Sequence, residues 1–535
     1  MAQKPLDSKQ MQQAVDALAA SNGNETMAAK LLGMPKSTFQ NRISAAERAH
    51  IVAAKEEKLN TTARHAQLHM GAFKDSRRGK VSRYVVTSAQ NATPVQADFF
   101  ASLLSYCKLN GAELIVIPFR YQNPTSVWTE KSKSYDWWPS EVMPYLLDKR
   151  IALNKNLVVL ADIKIQPTAT RPLSGMDTMT GSKSAILAHP KLELVTVPTP
   201  HHKLPKILTT TGACTKRNYT ETKAGKKGSF HHTYGACVVE VSGESFHMRQ
   251  LNAISNGSFM DLNYEYTGAG RTKVDQIEAL VCGDTHHEFV DPEVVEATFG
   301  KGGIASFLRP KLVVWHDIWD GYSRNHHHEG EAFINFVKHQ AGVDDVEKAL
   351  DNVFAFVDKY TPPNSKNVFI PSNHPDVLAK WVKRADWRED PRNAKFLLRT
   401  ALAMIESAEM GLCGAQVIDP FQYWAKKKMK SASQAIFLKR DESFQVKGIE
   451  LAYHGDRGPN GSRGSIKGFT RIGVKSVIGH SHTPGIMDGV YQTGCNSYLK
   501  LEYNSGPSSW MQSDCIVYKN GKRSLINIVN GQWRA

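Results

Sequence analysis

Five segments in the second half of the chain each run from a short apolar stretch straight into side chains of the kind that hold metal ions. IEALVCGDTHHEF carries Asp284 and His286, and KLVVWHDIWDG carries Asp317 with Asp320 three residues on. KNVFIPSNHPD supplies Asn373 and His374, IELAYHGDRG supplies His454, and VKSVIGHSHTPG supplies His480 and His482. Apolar runs of this length read as buried strands, so the five loops are expected to converge along one edge of a sheet, where α/β proteins place their sites. One histidine at a strand end is usually a hydrogen-bonded structural residue; five such endings in order call for another reason. Imidazole with carboxylate and one amide oxygen, without thiolate, suits Mn, Fe or Zn better than Ca, which takes oxygens only. Seven such side chains are too many for one tetrahedral ion and enough for two divalent ions with open positions.

The order D-x-H, D-x-x-D, N-H, H-G and G-H-x-H, spread over residues 275–495, resembles the calcineurin-like metallophosphoesterase superfamily. The resemblance implies that Asp284, His286 and His482 hold a first ion, that Asp317 bridges, and that Asn373, His454 and His480 hold a second. It makes His374 the group that protonates the leaving oxygen, with Asp320 and Asp376 behind the ligands. Two cations about 3.5–4 Å apart (Mn first, with Fe or Zn suited to the same donors) would bind phosphate oxygens and activate a bridging water. Their charge would offset that of the transition state. Three positions depart from the usual pattern: His316 replaces the Gly before the bridging Asp, Gly321 replaces an Arg, and Ser372 and Pro375 flank Asn373–His374. HDIWDG is also similar to the DNA-repair exonuclease branch, which makes phosphodiester hydrolysis in DNA the expected reaction. The alternative is a phosphatase acting on protein or small-molecule esters, with the N-terminal segment used for assembly.

The elements that must carry these loops read as α/β. Residues 271–535 are expected to form the catalytic domain, a layered β-sheet core of metallophosphoesterase type flanked by helices. Before it, VSRYVVTSAQ, a helix over residues 95–109 and AELIVIPFRY make a β-α-β unit with parallel pairing. Residues 81–270 thus read as a separate α/β domain, without a phosphate-binding glycine loop or nucleophile elbow. No internal repeat of 20–50 residues is visible. Basic stretches at 215–229 (a loop), at 421–430 (FQYWAKKKMK) and at Arg457, Arg463 and Lys467 after His454 are candidate contacts to a phosphate backbone.

The whole chain, 535 residues with a net charge of +16, favours polyanionic partners, DNA first. Seven scattered cysteines without a C-x-x-C pair argue against a disulfide framework or zinc ribbon. No apolar run is long enough to span a membrane, and the polar start is no signal peptide, so a cytoplasmic protein is expected, of a kind that a phage gene would encode.

Residues 1–50 read as three short helices: an apolar face of Met11, Ala14, Val15 and Leu18, a second with Ala28, Ala29, Leu31 and Leu32, a turn at Gly33, and a third capped by Ser37 or Thr38. The segment resembles Fis-like helix-turn-helix domains. That implies Gln40 and Asn41 at base edges and Lys36 and Arg42 at phosphates, with a homo-oligomer compatible. Residues 51–80 read as a charged helical linker. Deleting residues 1–50 should therefore weaken DNA binding, measured by filter retention, more than it slows hydrolysis of a small phosphate ester. Equal loss of both would make the segment structural.

Overall fold

The structure is a computed structural model that describes residues 7–21, 24–46, 82–121, 137–410 and 417–535. The expected linker 51–80 lies outside the described residues.

The N-terminal helices have a small core of their own. Helix Ser8–Ala20 is capped by Asp7, helix Glu25–Leu31 by Asn24, and residues 36–46 form the third. Ala14, Ala17, Ala28, Ala29, Phe39 and Ile43 pack together. Val15 and Leu31, expected inside, are exposed, because Ala17 and Phe39 fill the space between the helices.

The rest is mixed α/β. Strands β1 (Ser82–Gln90), β2 (Ala112–Phe119), β3 (Ile151–Asn154), β4 (Leu157–Val159), β5 (Ser184–Leu187), β6 (Leu194–Val197), β7 (Lys206–Thr210), β8 (Gly235–Ser242) and β9 (Ser245–Asn252) come first. A three-stranded unit follows, of β10 (Phe259–Asp261), β11 (Tyr264–Thr267) and β12 (Gly270–Lys273). The last set is β13 (Ala279–Val281), β14 (Leu312–Trp315), β15 (Lys366–Phe369), β16 (Ala435–Phe437), β17 (Gln445–Val446), β18 (Ile449–Glu450), β19 (Ser476–Ile478), β20 (Gly485–Met487), β21 (Val490–Gln492), β22 (Ser513–Val517) and β23 (Arg523–Asn527).

These strands build a four-stranded sheet β2-β1-β8-β9, a six-stranded sheet β16-β15-β14-β13-β22-β23 and a ten-stranded sheet β17-β18-β19-β21-β20-β6-β7-β5-β4-β3. The ten-stranded sheet covers one face of both others: Val86, Ile186, Val281 and Val477 belong to one apolar core. Helices close the opposite faces, with helix Ala97–Asn110 on the four-stranded sheet and helices such as Pro292–Phe299 and Val346–Tyr360 on the six-stranded one.

The expected division at residue 270 does not hold for this core. Strands from both sides of it share the ten-stranded sheet, joined where β6 meets β20 at Leu194 and Ile486. The two sides also follow one plan. In each, a parallel pair (β1–β2, β13–β14) is flanked by two antiparallel strands (β8 and β9, β22 and β23). In each, the order in the shared sheet is the same from rim to centre, β3-β4-β5-β7-β6 and β17-β18-β19-β21-β20.

Candidate metal centre

Every one of the five blocks ends at the carboxyl end of a strand, and the ends abut. Beyond β13 and β14 the backbones stay paired: Thr285 N–H donates to the His316 carbonyl at 3.1 Å and His286 N–H to that of Asp317 at 2.7 Å. Asp284 N–H donates to the Gly494 carbonyl at 3.1 Å. This pairing carries Asp284, His286 and Asp317 into one buried pocket. His454 leaves the end of β18, and His480 and His482 the end of β19, from the facing sheet.

Four of these residues have left-handed backbones, which side chains other than Gly rarely adopt: His286 (φ 43°), Asp317 (φ 37°), His480 (φ 72°) and His482 (φ 57°). Such conformations cost of order 1–3 kcal/mol each and gather where function holds them. Here they turn the side chains inward at the point where a strand would have carried them past. Gly479 supplies clearance, since a Cβ there would lie 2.3 Å from Asp284 Oδ1.

The donor atoms converge. Nε2 of His286 and Nε2 of His482 are 3.0 Å apart, and His482 Nε2 is 3.1 Å from Asp284 Oδ2. His454 Nε2 lies 2.9 Å from Asp317 Oδ2, and Asp317, His454 and His480 form a second cluster. Yet both Asp284 oxygens, Asp317 Oδ1, His454 Nε2 and Asn373 Oδ1 are buried with no hydrogen bond of acceptable geometry. Buried polar atoms are almost always satisfied. Atoms this close that do not hydrogen-bond to one another are aimed at common points between them, and the donor set fits divalent cations there.

The charges respond to crowding. Burial alone would push the Asp284 carboxyl up, but His454 and His482 hold it down at about 2. Asp317 is likewise opposed by burial and drawn well below the usual carboxylate range by His454 and His374. Burial disfavours a charged His286, yet its bond to Asp320 (2.9 Å) lifts it to about 9. Behind them, Glu288 accepts from the Asp320 and Gly321 amides at 2.9 and 3.3 Å, and burial next to Asp320 raises it to about 7.

His374 has its Nδ1 2.7 Å from the Asp320 carbonyl and 3.4 Å from the Asp320 carboxylate, and its Nε2 4.0 Å from Asp317. Asp376, expected to support it, does not. Its carboxylate instead takes Arg440 at 2.8 Å and Arg457 at 3.3 Å, because it opens the helix Asp376–Arg384 with its side chain turned to the basic loop. Asp320 supplies the support in its place.

His316 is the residue that sequence reasoning passed over as a mere departure from a Gly. Burial and His454 lower it to about 4, so its neutral Nδ1, 3.1 Å from His454 Nδ1, can accept the His454 proton. That fixes the tautomer leaving the His454 Nε2 lone pair for a cation. Trp510 is a second unforeseen neighbour, its ring edge-on to His482 at 4.0 Å between centroids.

The candidate DNA contacts fare unevenly. Gln40 donates to Glu25 at 2.8 Å and Lys36 lies 3.9 Å from the same carboxylate, while Asn41 is exposed and Arg42 half-buried. Arg463 faces Arg457 across a tight turn, and Lys467 is exposed on the short helix Ile466–Phe469 that follows. The basic stretch at 215–229 is no simple loop: its latter part is helix Lys223–His231, capped by Thr222. In helix Pro420–Lys428 the aromatics Phe421 and Trp424 are buried and Lys428 pairs with Glu347 and Asp351, so this segment offers no stacking groove.

No family model and no solved structure matches the chain. Protein A1 of Escherichia phage T5 is 33% identical to it over 465 residues, 85% of this chain and 83% of that protein. The chain belongs to the family of this phage protein. A phage relative agrees with the phage-like character expected of the sequence. Among the described residues, no helix is long and apolar enough to cross a membrane.

Two measurements test the geometry. Gly479→Ala should displace Asp284 and lower Mn2+ affinity at least tenfold in calorimetry while the circular dichroism spectrum stays the same; unchanged affinity would contradict the packing. Because His286 holds a proton up to about 9 in the metal-free site, ion binding must release it. Mn2+ affinity should therefore rise with pH toward that value, with proton release seen as buffer-dependent heats; no such release would contradict the assignment.

Proposed function

We propose that the chain is a metal-dependent phosphodiesterase of the calcineurin-like kind, acting on DNA. The observation that carries this is the convergence of buried and half-buried donors in overlapping clusters, Asp284, His286 and His482 in one and Asp317, His454 and His480 in another, with His454 also grouped with Asp284 and His316. Asp284, His286 and His482 would hold one divalent ion, Asn373, His454 and His480 the other, with Asp317 between. Two ions in such a site, Mn fitting as Fe or Zn would, supply Lewis acidity toward a phosphate and a hydroxide at neutral pH.

The chain's own residues supply orientation and protons. Asp320 fixes the His374 ring through its carbonyl, 2.7 Å from Nδ1, with its carboxylate 3.4 Å from the same nitrogen. A proton at His374 Nε2, 4.0 Å from Asp317, would then be within reach of a leaving oxygen held beside that carboxylate. His316 keeps the His454 Nε2 bare, and Glu288 pins the turn that carries Asp320.

Preference for a nucleic-acid ester rests on three supports. The basic loop with Arg457, Arg463 and Lys467 follows His454 directly. A cavity of about 740 Å3 adjoins the His374 loop, walled by Pro371, Phe369, Phe421 and Phe437 and apolar enough for a base, with Lys439 and Arg440 set among Asp376, Asp419, Asp441 and Glu442 in its lining. The N-terminal module resembles a DNA-binding fold.

Asp317→Ala and His374→Ala should each lower turnover of plasmid DNA with Mn2+ by about 10²-fold or more, in keeping with the loss of one positioned acid–base group. Their affinity for DNA should stay near wild type. Full activity in either variant would contradict the centre. Turnover of p-nitrophenyl phosphate without DNA cleavage would favour the phosphatase reading.

A further inference from the structure

We propose that residues 82–252 are a second copy of the catalytic fold that no longer assembles a metal centre, carries a fixed ammonium beside it, and holds a phosphodiester backbone without cutting it. The gripping role rests on the nuclease reading above. The duplication does not.

Backbone hydrogen bonds match the two copies residue by residue. Cys214 N–H donates to the Ser88 carbonyl as Asn496 N–H does to that of Asp284, both at 2.8 Å. Val95 bridges Thr215 as Val290 bridges Ser497, and Gln96 and Asp291 donate onward to Cys214 and Asn496. Asn91 N–H donates to the Phe119 carbonyl as His287 N–H does to that of Ile318, both at 3.0 Å. Thr233 N–H donates to Pro190 as Met511 N–H does to His482. Val158 pairs with Ala185 as Glu450 does with Ser476. At the centre, Leu194 pairs antiparallel with its own counterpart Ile486, as a two-fold axis between like units requires.

The match shows what became of the ligands. Asp284 and His286 correspond to Ser88 and Gln90, Asp317 to Pro118, His454 to Asp162, and His480 and His482 to His189 and Pro190. Only two of the six keep a ligand type, and both are engaged elsewhere: Asp162 pairs with Arg150 at 3.1 Å, and His189 accepts the Lys191 amide at Nδ1 (3.0 Å) with its Nε2 3.2 Å from the Gln166 carbonyl. Beside them Lys164 enters: its Nζ donates to the carbonyls of Pro118 at 3.2 Å and Ala161 at 2.6 Å, the counterparts of Asp317 and of Tyr453, which precedes His454. An ammonium thus stands beside the altered centre, able to attract a phosphate but unable to activate water.

The surrounding charge points the same way. Residues 82–275 hold 22 Lys and Arg against 15 Asp and Glu, whereas residues 276–535 hold 32 against 29. Residues 82–275 therefore carry +7 against +3 for the copy with the metal ligands. Lys216 and Arg217 are exposed directly after Thr215, at the edge of the altered centre, and Lys223, Lys226 and Lys227 follow on the next helix.

The test uses the full chain with EDTA and a labelled DNA duplex, following anisotropy over a series of salt concentrations, beside metal analysis after Mn2+ loading. Lys216→Ala/Arg217→Ala should weaken binding roughly tenfold and lower the slope of log affinity against log salt by about two, one for each phosphate no longer neutralised. Lys164→Met should weaken binding too. Melting temperature and ion content of the double variant should stay at wild type, with two ions per chain, not four. Unchanged affinity and slope, or four ions per chain, would overturn the proposal. Weakened binding in the variants of a protein that cleaves no DNA would uphold the grip and overturn the nuclease reading alone.

Discussion

Asp284, Asp317 and Asp320 are buried together, and like charges in so small a volume cannot remain ionised in a low-dielectric interior unless cations stand among them. The second half of the chain is arranged around that condition. Imidazoles from the facing sheet approach the carboxylates, which lowers Asp284 and Asp317, while Asp320 raises His286. Left-handed turns at His286, Asp317, His480 and His482 bring the groups in, and the missing Cβ of Gly479 leaves them room. Even so, several oxygens and nitrogens of the cluster stay without hydrogen bonds. Imidazole alone does not complete the pocket; divalent cations would.

The blocks that build this centre were legible because each one places its polar residues immediately after a strand, so position along the chain and position in space coincide. Roles that depend on proximity across the fold were not. Nothing in HDIWDG shows that His316 reaches His454, or that Asp320 serves both His286 and His374. The helix Asp376–Arg384 begins where a carboxylate behind His374 was expected, and Arg440, far along the chain, claims that carboxylate. Charge runs misled in another way: FQYWAKKKMK alternates aromatics and lysines, but on a helix the aromatics pack inward and the lysines alone stay out.

The shared sheet was hidden for a different reason. A strand is three to five residues of Val, Ile, Leu and Ala wherever it lies, so composition does not say which strands pair. The duplicated plan extends over a period far longer than a solenoid repeat, and the two copies share pairing and hydrogen bonds but not the residues that would mark them. Ser88, Gln90 and Pro118 carry no trace of the ligands they correspond to. Burial of β6 against β20 also removes an edge strand that a single copy would expose, which gives the altered copy a structural reason to persist besides any role with substrate.

The most direct measurement is a crystal of the chain grown with Mn2+ and measured at the manganese absorption edge. The account predicts two anomalous peaks about 3.5–4 Å apart, one among Asp284, His286 and His482 and one among Asn373, His454 and His480, with Asp317 reaching both. A pocket without peaks at saturating Mn2+, or a single ion held away from Asp317, would contradict it.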